Sequence, residues 1–118
     1  MSIMVKITYD TNKFALSVKG HAETAVKGQD ILCSAVSILT YTLAQNLISN
    51  ANCLVTEPQI NLNDGSAVII CVPKDEYAAE IKQIFDVIMT GFYLLEKSYK
   101  KNIKILGGRV REYENPLL

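Results

Sequence analysis

The chain has 118 residues, 49% of them apolar and 20% charged, which is the ordinary range of one globular domain with a single hydrophobic core. Twelve Lys and Arg balance twelve Asp and Glu, so no strong field draws the chain to nucleic acid or to a membrane surface. Three cysteines, Cys33, Cys53 and Cys71, are odd in number and form no CxxC pair, which points to a reducing, cytoplasmic setting.

At the N-terminus Ile3, Val5, Ile7 and Tyr9 alternate with Met4, Lys6, Thr8 and Asp10. A period of two predicts a half-buried strand, and it is not the pattern of a secretory signal. No run approaches the roughly 18 apolar residues that span a bilayer. Turn residues at 10–13 lead into a second alternating stretch, Phe14, Leu16 and Val18, so the chain opens with a hairpin packed on one face. A polar loop over 20–29 follows, with Gly20 at its start and Gly28 near its end. Asp30 is placed to cap a helix in which Leu32, Val36, Leu39, Leu43 and Leu47 recur at helical spacing. Cys33, Ser37, Thr40 and Ala44 share a less apolar face, and the helix should fade near 49–52.

A second hairpin is predicted from Val55–Leu62 and Ala67–Val72 with a turn at 63–65, and Pro58 marks its first strand as an edge or an irregularity. Residues 73–75 open a second long helix with the apolar stripe Tyr77, Ile81, Ile84, Phe85, Ile88, Phe92 and Leu95. Gly91 interrupts that stripe and suggests close packing against the core or another subunit. Lys97 to Lys104 is basic, and reads as the solvated end of the helix rather than a nucleic-acid site. A last strand should lie within Asn102 to Tyr113, broken at Gly107 and Gly108. The order β-β-α-β-β-α-β gives a two-layer α+β domain, a mainly antiparallel sheet covered by two helices.

The chemistry-bearing pair is His21, the one histidine, and Cys33, twelve residues later. A thiolate is the nucleophile in cysteine chemistry, and a helix start or a neighbouring imidazolium lowers a thiol's pKa. With Asp30 as cap, Cys33 falls in the first turn, where backbone amides lack helical partners and can hold an oxyanion. A buried cysteine and a solvated loop histidine are the plainer reading of the same residues. Metal binding by His21, Asp30 and Cys33 lacks any CxxC or HxxxH support. Cys53 and Cys71 read as packing residues.

The stretch "GHAETAVKGQDILCSAVSIL" resembles the signature of the ribosomal-processing cysteine protease family, Prp. The matching positions are Gly20, His21, Ala22, Gly28, Asp30, Ile31, Cys33, Ala35, Val36 and Ser37. The resemblance implies a cytoplasmic homodimeric endopeptidase that removes an N-terminal extension from a large-subunit ribosomal protein precursor at an aromatic-rich site. It makes Cys33 the nucleophile and His21 the general base, with Asp30, Ser37 and Gly20 in support, and it calls for no cofactor and no metal. Thr24 stands where many relatives carry an aromatic, and Ser34 replaces a small apolar residue. A loop over 21–29, anchored by His21 and Cys33, is expected to close over the peptide. The competing expectation is a non-catalytic, ribosome-associated binding module in which the two residues only hold the loop.

Overall fold

The computed structural model describes residues 2–20 and 27–107. The predicted order is present: β1 (Ile3–Tyr9), β2 (Phe14–Lys19), α1 (Lys27–Ser49), β3 (Gln59–Asn63), β4 (Ser66–Cys71), α2 (Ala78–Ser98) and β5 (Ile103–Leu106). The strands form one sheet in the order β3-β4-β2-β1-β5, antiparallel throughout except where β5 runs parallel to β1. Both helices lie on one face, so the domain is α+β with two layers.

Alternation explains the layering. Ile3, Val5 and Ile7 of β1, Phe14, Leu16 and Val18 of β2, Ile69 and Cys71 of β4, and Ile103 and Ile105 of β5 are all buried on the helix side. Against them α1 buries Leu32, Val36, Leu43 and Leu47, and α2 buries Ile81, Phe85, Ile88, Met89 and Phe92. At one end of the sheet Tyr9, Phe14 and Phe85 meet edge to face, with centroids 5.3 to 6.2 Å apart. The Tyr9 hydroxyl donates to Asp86 Oδ1 at 2.9 Å. Burial first, and that acceptor second, push its ionisation well above the usual tyrosine range.

Four expectations shift. The helix α1 begins at Lys27, not after Asp30. Lys27 and Gln29 are good helix formers, and Gly28 costs too little to stop propagation. Asp30 is therefore the fourth helical residue rather than the cap, and Cys33 the seventh. Strand β3 starts only after Pro58: the preceding chain stays beside the continuation of β4 but two residues out of register, with Leu54 bridging Pro73 and the Val55 amide donating to the Val72 carbonyl, so Pro58 falls at the irregularity expected of it. A 3-10 turn over Asp75–Tyr77 precedes α2. Finally, Ile31–Ser49 reaches a hydropathy of 1.5, so this one helix is long and apolar enough by composition to cross a membrane. In the fold, its stripe from Leu32 to Leu47 lies in the core.

Two glycines set the geometry around α1. A Cβ on Gly91 would lie 2.6 Å from Leu39 Cδ2, so α2 approaches α1 closely at that point, the intramolecular one of the two predicted contacts. Gly20 has φ +111°, and a Cβ there would meet the Ser2 carbonyl oxygen at 2.5 Å. Backbone cannot yield as a side-chain tip can. Gly20→Ala is expected to destabilise the fold by about 1–3 kcal/mol, read as a fall in the urea midpoint at unchanged slope.

Candidate active site

A cleft of about 480 Å³ lies at the end of the sheet where β2 finishes and the β3–β4 hairpin turns. Its floor is a row of helix-facing residues from four strands: Ile3, Val18, Ala67 and Leu62. Its roof is the first half of α1, through Cys33, Val36, Ser37, Thr40 and Tyr41. Gly20 and the hairpin tip, Asn63 to Ser66, close one end together, where the Gly20 amide donates to the Gly65 carbonyl at 3.0 Å. Ala67 is small between Val18 and Leu62, so the floor is recessed beneath the helix.

The face that the sequence grouped as Cys33, Ser37 and Thr40 is thus the roof of this cleft. Its members differ in what they can offer. The Thr40 hydroxyl is buried and donates to the Val36 carbonyl at 2.7 Å, so it is already committed within the helix. Ser37 is exposed, one turn beyond Cys33. Cys33 is half-buried and opens on the cleft. Because Cα–Cβ bonds tilt toward a helix N-terminus, its thiol leans back over the preceding turn.

The longer α1 changes one part of the expected chemistry. In a helix beginning at Lys27, the amides without helical partners belong to residues 27–30. The Cys33 amide is in the helical ladder, and the thiol is a full turn further from the positive end of the dipole than expected. His21 lies outside the described residues, as does most of the loop predicted over 21–29; residues 27–29 are helical. Among the described residues no three His, Cys, Asp or Glu side chains converge on a metal-sized site.

The other two cysteines are placed as packing residues. Cys53 sits half-buried in the 3-10 turn after α1 and does not line the cleft. Cys71 is 2% exposed, beneath the helices. Tyr41, Leu62 and Asn63 complete the cleft and were not singled out by sequence. Their signal is tertiary, since the hairpin and α1 are joined only by folding.

The chain matches the family described as cysteine protease Prp over residues 2–104. It belongs to that family. The enzyme is therefore a cysteine protease rather than a non-catalytic binding module. Solved structures give the same fold. A Staphylococcus aureus protein described as an essential ribosomal processing protease Prp, in complex with a substrate peptide, aligns with a TM-score of 0.64 at 23% identity, covering 87% of this chain and 96% of that one. The same protease with a covalently linked product peptide gives 0.64 and 24%, over 88% and 97%. The Streptococcus mutans protein SMU.848 gives 0.67 and 21%, over 89% and 92%. No curated protein sequence matches the chain.

Burial pushes the Cys71 thiol from 9.0 up to about 11, so the protease keeps it protonated at neutral pH. The folded pKa is the higher one, so the stability from the neutral thiol is whole below pH 9 and is lost as pH rises toward 11. The expected slope in that window is roughly 1.4 kcal/mol per pH unit from this group. Urea unfolding of wild type and Cys71→Ala between pH 8 and 11 checks it. The variant should lack that component and keep the steeper fall that Tyr9 adds at higher pH.

Proposed function

We propose that this protease removes the N-terminal extension of a large-subunit ribosomal protein precursor in the cytoplasm, with Cys33 as nucleophile and His21 as general base and acid. The observation that carries the assignment of the nucleophile is placement. Of the three cysteines, Cys33 alone lines the cleft, while Cys71 is buried and Cys53 lies at the far end of α1. His21 follows Gly20 directly in sequence, and Gly20 lines the same cleft. The ribosomal substrate rests on the family and on the S. aureus relative, whose structures hold a substrate peptide and a covalently linked product.

The steps balance without a cofactor. Cys33 Sγ attacks the scissile carbonyl carbon as its proton passes to the His21 imidazole. The tetrahedral intermediate collapses, and the protonated His21 gives its proton to the departing amine, which is the new N-terminus of the ribosomal protein. The extension remains on Cys33 as a thioester. Water, deprotonated by His21, hydrolyses it and restores the thiol.

Supporting roles follow from position. Gly20 fixes the turn that begins the His21 segment, as its positive φ and its contact with Ser2 require. Ser37 is the exposed hydroxyl on the cleft roof and is free to bond a peptide group there. Asp30 stands three residues before Cys33, in the first turn of α1, as an acidic residue in sequence reach of the dyad. A second copy of the chain fits the outer face of the helix layer, where Ile31, Ile38, Val87 and Leu94 are 60%, 62%, 62% and 60% exposed. Large apolar side chains exposed on both helices favour a homodimer.

Incubation with a peptide spanning the extension of the same organism's ribosomal precursor tests the reading, with products assigned by mass spectrometry. Wild type should make one cut. Cys33→Ala should make none, and His21→Ala should be slower by about 100- to 10,000-fold. Cutting by Cys33→Ala at the wild-type rate would overturn the assignment of the nucleophile.

A further inference from the structure

The sheet has two edges, and they are treated differently. On the β5 edge the outward amides are taken: Ile103 N–H donates to the Tyr99 carbonyl at 3.2 Å, and Ile105 N–H to Glu96 Oε2 at 2.8 Å. The Tyr93 hydroxyl donates to the Gly107 carbonyl just beyond, at 2.6 Å. That edge is sealed by its own helix, a common defence against strand addition.

The β3 edge has no such cover among the described residues. The two-residue turn Asp64-Gly65 closes on the Asn63–Ser66 pair, which is the hydrogen-bonded kind. Alternation then points the amides and carbonyls of Asn63, Asn61 and Gln59 at β4, and those of Leu62 and Ile60 outward. Among the described residues no backbone or side-chain hydrogen bond uses them. The side chains of Ile60 and Leu62 stand on the helix side of the sheet, opposite Ile69 and Ala67. Above them, the flank of α1 leaves Tyr41 55% and Ile48 50% exposed, and Leu62 itself is 37% exposed. Leu62 and Tyr41 also line the cleft that holds Cys33.

We propose that β3 is the docking strand for the peptide substrate: an extended segment flanking the scissile bond pairs with Ile60 and Leu62 and adds a sixth strand to the sheet (five are present). This rests on the protease reading above. The occupant is a peptide of defined pattern. Every second side chain faces α1 and covers Tyr41, Ile48 and Leu62, so those positions are apolar. The intervening ones lie beside Gln59, Asn61 and Asn63 and are polar or solvated. The edge is continuous with the cleft, so a segment held there passes directly to Cys33. Strand β3 is five residues long and stops at Pro58, which limits the pairing to a short stretch and favours a peptide over a long sheet partner.

The test uses a peptide spanning the precursor's cleavage site, carrying one backbone N-methyl group at each position in turn. Affinity is measured by calorimetry on the folded Cys33→Ala protein, and cleavage separately on wild type. Binding should weaken by about tenfold at alternate positions of one segment and change little between them. Leu62→Pro removes an outward amide without breaking the β3–β4 ladder, and edge positions tolerate proline. It should weaken binding well beyond Leu62→Ala, while both variants keep wild-type circular dichroism. Loss without a two-residue period, equal affinity of Leu62→Pro and Leu62→Ala, or no binding would overturn the proposal. So would a dimer that Leu62→Pro dissociates while peptide affinity is unchanged, since a second copy would then hold the edge. Periodic binding without cleavage by wild type would leave the docking strand standing and overturn the protease assignment instead.

Discussion

The close approach of α2 to α1 at Gly91 governs what the rest of the fold can cover. Helix axes in contact lie roughly 8–10 Å apart, so two helices shield about 16–20 Å of sheet, whereas five strands at roughly 4.8 Å occupy about 24 Å. With Leu39 seated where a Cβ of residue 91 would be, α1 is drawn toward α2 and the shortfall falls on one side. The uncovered side is β3. The other edge is closed by Tyr99, Glu96 and Tyr93, which tie β5 to the end of α2. One asymmetric packing choice thus creates both the cleft and the open edge that continues it.

Function follows from which residues α1 carries on its exposed flank. The stripe from Leu32 to Leu47 must face the sheet to bury its apolar surface, and that fixes the helix's rotation. Cys33, Ser37 and Tyr41 then overlook the recess made by Ala67 between Val18 and Leu62. The same rotation sends Ile31 and Ile38 outward, and α2 likewise exposes Val87 and Leu94. Core packing places the Cys33 thiol on the cleft without any special backbone feature at that residue. The helix begins far enough upstream that its first-turn amides are not those of the cysteine.

Most of the fold was legible because its signals are local. The period of two in β1 and β2 and the spacing of Leu32, Val36, Leu43 and Leu47 name their elements directly, and Pro58 marks the edge strand correctly. The helix α1 starts upstream of the position the sequence suggests, because Asp30 is a good cap by type while Lys27 and Gln29 carry no apolar pattern to show a helix already under way. For the site, Cys33, Ser37 and Gly20 could be read from sequence, and all three line the cleft. Tyr41, Leu62 and Ala67 could not, since their role depends on α1 lying over a hairpin that begins ten residues after the helix ends (Ser49 to Gln59). The geometry of His21 lies outside the described residues. Its role rests on chemistry and family.

The proposed protease requires that Cys33 be the residue that forms the covalent bond. The direct measurement is to treat the protein with a chloromethyl ketone built on the extension sequence, then locate the adduct by tandem mass spectrometry. The account predicts one equivalent of label, on Cys33 alone, with the underivatised extension peptide protecting against it. Label on Cys53, or on Cys33 without protection by that peptide, would contradict it.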